Sequence, residues 1–309
     1  PENKQSRAVV TVFAPYQVEQ LHQHLASLSA DNMAGRRFAS PESIKAQEYL
    51  IASLVQNDVK PWQQQFIHPF THSTFFTKKL GKNIIGYVQG TSLPDRYILL
   101  SAHYDHLGKK GTKIYNGADD NGSGTVAVLE MAQAFNEAQK KGHGPKRSIL
   151  FLHTTGEEIG LFGSKYYTDI APVFPLKSTV ANLNIDMIGR VDKKHEGGKN
   201  YLYLIGSDKL SKELHDLSEE VNKTYINLEI DYTYNDDSDP NHYYERSDHY
   251  NFAKNNIPVI FYFNGSHNNY HKPTDTPDKI NYNFLETRTR LIFHTAWELA
   301  NREKRIKLD

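Results

Sequence analysis

The stretch YILLSAHYDHLGKKGTKIYNGADDNGSG, residues 97–124, opens as an apolar run and turns within a few residues to imidazole and carboxylate. Tyr97 to Leu100 are bulky and suit a pleated surface, so 97–102 reads as a buried strand. His103 and Asp105 follow at once, and Asp119 and Asp120 stand just ahead of a helical pattern over 123–138. Strand, polar loop and helix in that order are the repeating unit of an α/β sheet, whose ligands gather at the carboxyl ends of the strands.

Working outward, the unit recurs. Apolar strands are expected at 148–154, 179–185, 201–206 and 258–263, with helices at 160–168, 208–223 and 283–302. Upstream, 16–30 and 41–56 read as helices, the second with Ser40 as N-cap and Pro41 in its first turn. The aromatic and Thr-rich segment 62–90 suggests a strand pair. At 309 residues, with neither repeats nor low-complexity tracts, one enzyme-sized domain is expected over 1–309: a lead-in over 1–80 and a core over 80–305.

Composition excludes several classes. Lys plus Arg balances Asp plus Glu at 36 each, which argues against nucleic acid and against an anionic membrane as partners. No apolar run approaches the ~20 residues of a membrane-spanning helix. The absence of Cys removes disulfides, thiolate metal sites and a Cys nucleophile together. There is no H-E-x-x-H, G-x-S-x-G, Walker or Rossmann glycine motif, so the chemistry must use activated water.

What remains is a set of polar residues at strand ends: HYD (103–105), GADDNGSG (117–124), TTGEE (154–158), Asp186 after STVANLNI, and His271 in YHKPTDTPD (270–278). Taken singly each has an ordinary explanation, for Asp before a helix satisfies its dipole and a Glu pair is usually a solvated helix start. Taken together at consecutive strand ends they point to a divalent metal site of imidazole and carboxylate, most readily zinc. His103, Asp119, Glu158, Asp186 and His271 make five donors, one more than a single four-coordinate catalytic ion with its water can use. With one bridging carboxylate they suit two ions roughly 3.5 Å apart. Glu157, next to a ligand, is then placed to serve as general base.

The ordered set HYD, GADDNGSG, TTGEEIGLFGS, NIDMIG and YHKPTDTPD resembles the co-catalytic zinc aminopeptidases related to bacterial leucyl aminopeptidase, metallopeptidase family 28, over about residues 80–300. The resemblance implies a three-layer zinc-exopeptidase fold, phosphorylase/hydrolase-like, with a mixed, mostly parallel, twisted sheet between helices. It also implies two zinc ions, with Asp119 as their bridge, His103 and Asp186 on one and Glu158 and His271 on the other. Glu157 takes the general base role, Asp105 accepts from the distal nitrogen of His103, Tyr244 steadies the tetrahedral intermediate, and the peptide bond between Asp119 and Asp120 is cis. The function implied is removal of the N-terminal residue from peptides with a free N-terminus. Relatives imply two alternatives, a single-zinc glutaminyl cyclase and a non-enzymatic binding protein on the same fold. The resemblance further implies export, as a periplasmic, secreted or lipid-anchored protein. Side-chain preference and oligomeric state are left open.

Overall fold

In the computed structural model, which describes residues 18–309, the helical and strand patterns condense into one sheet with helices on both faces. The lead-in supplies α1 (Val18–Leu28) and α2 (Pro41–Gln56), the latter capped by Ser40, whose hydroxyl accepts from the Ser43 amide. Residues 16 and 17 of the expected first helix lie outside the described residues. A short β1 (Lys60–Pro61) precedes β2 (Ile67–Ser73) and β3 (Lys78–Val88), and the strand that decided the fold is β4 (Leu93–His103). After a small hairpin of β5 (Gly108–Lys110) and β6 (Lys113–Tyr115) come α3 (Gly124–Lys140), β7 (Arg147–Thr154), α4 (Phe162–Asp169) and β8 (Thr179–Ile185). The chain closes with β9 (Tyr201–Ile205), α5 (Lys212–Val221), β10 (Glu229–Asp231), α6 (His249–Ala253), β11 (Val259–Phe263) and α7 (Tyr282–Asn301).

The sheet runs β1-β3-β7-β4-β8-β11-β9-β10, with β2 paired to β3. Its centre, β7-β4-β8-β11, is parallel, while β3 runs antiparallel to β7 and β9 antiparallel to β11. These four central strands therefore end at one edge, and the polar loops of the sequence leave from there.

Alternation along β4 divides the core. Ile98, Leu100 and Ala102 join the larger core with α1, α3 and α7, while Tyr97 and Leu99 pack with Tyr167 and Phe252 on the other face. Towards the carboxyl edge that second face turns polar. Asn182 donates to the Ser101 hydroxyl at 2.8 Å, Ser101 donates to the Asn184 amide oxygen at 2.7 Å, and the Asn184 amide donates to the Ser247 hydroxyl at 2.9 Å. Most buried groups of this kind are bonded, and the ladder leads straight to the site.

Buried imidazoles weaken the fold in acid, His153 and His294 among them. Burial holds His153 down at about 4, against a hydrogen bond to the Thr125 carbonyl, and holds His294 down at about 4, with Arg290 adding to the effect. Both titrate near 6.5 once unfolded, so the denatured chain binds protons that the folded chain refuses. Stability is then intact above pH 6.5 and falls towards pH 4, by up to ~1.4 kcal/mol per pH unit per residue. Urea midpoints measured across that interval should decline, and His294→Gln should flatten the slope. An unchanged slope would mean that His294 is already charged in the folded protein.

Candidate metal centre

The cluster begins where β4 ends. His103 closes that strand; its Nδ1 lies 3.1 Å from the backbone carbonyl of Asp105, leaving Nε2 directed into the cleft. That Nε2 is buried and has no hydrogen-bond partner among the described residues. Around it stand Asp186 Oδ1 at 3.4 Å, Asp120 Oδ1 at 3.5 Å and Glu157 Oε2 at 3.7 Å. On the other side of Asp120, its Oδ2 lies 3.0 Å from His271 Nε2, and Glu158 Oε2 lies 3.2 Å from the same nitrogen. Two groups of donor atoms thus meet at Asp120. His103, Glu157 and Asp186 form one set within 4.8 Å, and His106, Asp120 and Glu158 form another.

The segment between Gly117 and Gly124 makes this possible. Gly117 has φ +58°, and a Cβ there would come within 2.2 Å of the Asp120 carbonyl and 2.5 Å of the His106 ring, so only glycine fits. Residues 118–123 form a wide turn in which Asp120 leaves helical geometry. The Asp275 carboxylate accepts from the backbone amides of Asp119 and Asp120 at 3.1 Å, tying the His271 loop to this turn. Below the turn, the fully buried Arg36 donates to the carbonyls of Leu28, Tyr104, Asn116 and Gly117, joining the lead-in to both metal loops.

Several expectations shift. The structure directs Asp119 away from the cluster: its Oδ1 accepts from the Gly189 amide at 2.7 Å and the Ser123 hydroxyl at 3.0 Å, and its Oδ2 lies 3.1 Å from His267. Adjacent side chains in the turn diverge, so Asp120 occupies the position expected of Asp119. The cis peptide likewise joins Asp120 to Asn121, one residue beyond the expected bond. Asp105 supplies its backbone carbonyl to His103, while its carboxylate stays 3.7 Å away and accepts from the Glu157 amide at 3.3 Å. Tyr244 packs against Gly206 with the Lys209 ammonium 5.0 Å above its ring, and its neighbour Tyr243 lines the cleft instead. His106, one residue after Asp105 and not among the expected donors, joins the cluster with its Nδ1 2.6 Å from Glu158 Oε1. His103, Glu158, Asp186, His271 and Glu157 are all brought together.

Charge is crowded here. Burial alone would strip the charge from His103, but Glu157, Asp186 and Asp105 raise it well above an ordinary imidazole. His271 is likewise opposed by burial yet held up at about 10 by Asp120 and Glu158. Burial and then the neighbouring carboxylates push Glu157 well above the usual carboxylate range, with His103 opposing, whereas His106 and His271 outweigh burial and pull Glu158 down. A carboxylate pair pushed apart in this way is the arrangement that divides acid–base from binding roles. An unpartnered buried imidazole nitrogen facing three carboxylates, with no thiolate near, suits a divalent cation of the borderline class. Met187, Tyr243, Arg246, Phe261, Phe263 and Tyr270 line the remainder of the cleft, and the Tyr243 hydroxyl lies 3.0 Å from Ser266 Oγ.

Residues 83–296, which carry every one of these donors, match the model of peptidase family M28. The chain belongs to that family. It is 35% identical over 116 residues to aminopeptidase YwaD of Bacillus subtilis, a match covering 37% of this chain and 23% of YwaD, so the similarity spans under a quarter of that relative's length. Solved structures share the fold, three of them as follows. The LapA aminopeptidase of Legionella pneumophila superposes with a TM-score of 0.76 at 20% identity, covering 98% of this chain and 76% of LapA. The zinc aminopeptidase BSAP of Bacillus subtilis gives 0.70 at 17% identity, over 96% and 99% of the two chains. A glutaminyl cyclase of an Acidobacteriales bacterium gives 0.71 at 22% identity, over 93% and 96%.

The geometry separates the two aspartates of the GADDNGSG turn by experiment. Asp120→Ala should cut the zinc bound after equilibrium dialysis at least in half, whereas Asp119→Asn should leave it at the unsubstituted level. The opposite order would return the bridging role to Asp119.

Proposed function

We propose that the chain is a metal-dependent aminopeptidase that removes the N-terminal residue from peptides, and that it does so with two zinc ions. The observation that carries this reading is the pair of adjacent donor sets with Asp120 between them, its Oδ1 3.5 Å from His103 Nε2 and its Oδ2 3.0 Å from His271 Nε2. His103, Asp120 and Asp186 would hold one ion, and Asp120, Glu158 and His271 the other. When bound, the ions supply Lewis acidity to the attacking water and to the scissile carbonyl.

The chain's own groups account for the rest. Glu157 lines the cleft beside both sets, its backbone amide fixed by Asp105, and it takes the proton of the attacking water and hands it to the leaving amine. The substrate's free α-amine would bind at this same cluster, so a preference for an unblocked N-terminus is expected. Met187, Phe261 and Phe263, which line the cleft, would offer the first side chain an apolar seat, and Tyr243, which also lines it, would donate to the reacting oxygen in place of Tyr244. Export of the protein belongs to the same proposal and rests on the family resemblance alone.

A mass-spectrometric time course on peptides with free, acetylated and Gln-led N-termini tests the reaction. Stepwise loss of single residues from free N-termini supports the aminopeptidase. Loss of ammonia from Gln-led peptides alone would make the chain a cyclase, and no change with zinc bound would make it a binding protein. Glu157→Gln should keep its zinc while the rate falls by roughly 10²–10⁴; an undiminished rate would remove Glu157 from the chemistry.

A further inference from the structure

The pairing of β2 with β3 outruns the rest of the sheet. Seven residue pairs join them, from Ile67↔Ile84 to Ser73↔Lys78, but β3 meets β7 only from Ile84 onward. Residues 67–83 therefore form a two-stranded arm that continues about 20 Å beyond the carboxyl end of β7, on the side where Glu157 and Glu158 lie. Its base is packed. Phe70 stacks on Phe38 and on Tyr166, the His72 ring lies tilted 3.8 Å from the Phe162 ring, and Gly81 has no room for a side chain because a Cβ would meet the Phe70 ring at 2.3 Å.

The tip is bare. Phe75 is 94% exposed and Phe76 88% exposed, their rings 4.9 Å apart, and Leu80 on the same arm is 53% exposed. Large apolar side chains are seldom left this open on a protein with no use for them. Next to them come Lys78 and Lys79, both exposed, and then Lys82. Over residues 59–94 the sequence has four lysines and no carboxylate at all. The balance of 36 against 36 over the whole chain hides this local excess of positive charge.

We propose that the β2–β3 arm is a membrane-surface anchor, its two phenylalanines entering the headgroup boundary of an anionic bilayer while the lysines meet the lipid phosphates. The charge selects this occupant: Lys78 and Lys79 stand beside the rings at the tip, a surface that meets them must be negative, and the arm offers no acid of its own in exchange. The shape agrees, because two adjacent rings at the end of a protruding arm form a wedge, which a fluid interface accepts without a preformed pocket. Docked in this way, the arm would hold the cleft edge near the bilayer. The proposal does not depend on the peptidase reading.

Cosedimentation of the full chain with vesicles tests it, comparing pure phosphatidylcholine with a mixture containing phosphatidylglycerol. Binding to the anionic vesicles alone is expected, reduced at least five-fold by 0.5 M salt and by either Phe75→Ser with Phe76→Ser or Lys78→Glu with Lys79→Glu. These variants should cleave a short soluble peptide as the unsubstituted protein does. Tryptophan emission of Phe75→Trp should shift to the blue on adding anionic vesicles. Absence of binding, or equal binding by all variants, would overturn the proposal. So would a dimer in light scattering that Phe75→Ser with Phe76→Ser dissolves, since the rings would then belong to an interface between copies.

Discussion

Four carboxylates share one cleft, and everything around them serves to make that tolerable. Asp120, Glu157, Glu158 and Asp186 are brought within a few ångströms of one another, where like charges in a poorly solvated site repel strongly. His103, His106 and His271 interleave them, and the unpartnered Nε2 of His103 shows that imidazole alone does not complete the arrangement. A site that cannot satisfy itself from its own atoms is one built for a cation.

Holding such a site open takes rigidity, and the groups that supply it carry no reaction. Asp119 and Asp275 fix the turn before α3 through backbone amides and a histidine, so that Asp120 alone faces inward. Ser247 donates to Asp186 Oδ2 at 2.6 Å at the end of the polar ladder under the sheet, leaving Oδ1 towards His103. Arg36 shows the same logic from farther away. Burial lowers its guanidinium to about 10, yet it remains a cation and ties four backbone carbonyls together. Through Arg36, the segment between α1 and α2 is structural support for the metal loops.

Length and periodicity decide how far each element is legible in the sequence. The expected strand at 179–185 coincides with β8, and the one at 148–154 differs from β7 by a single residue, because long apolar runs between turns have few other solutions. The small β5–β6 hairpin, β10 and α6 went unseen, being too short to establish a period. Nothing in the sequence pattern separates the antiparallel direction of β9 from the parallel strands beside it, since buried strands of either kind are uniformly apolar.

At the site the division falls between residue type and direction. By itself the sequence determined an α/β chain with His and carboxylate at successive strand ends, the order of those motifs, and the absence of thiolate or serine chemistry, because these depend on residue identity and spacing along the chain. Only the tertiary structure decided that Asp120 and not Asp119 faces the histidines, that Tyr243 and not Tyr244 reaches the cleft, that His106 joins Glu158, and that a basic arm projects past the site. Neighbouring side chains in a turn diverge, so a difference of one residue, too small to read in a motif, places a carboxylate on opposite sides of the backbone.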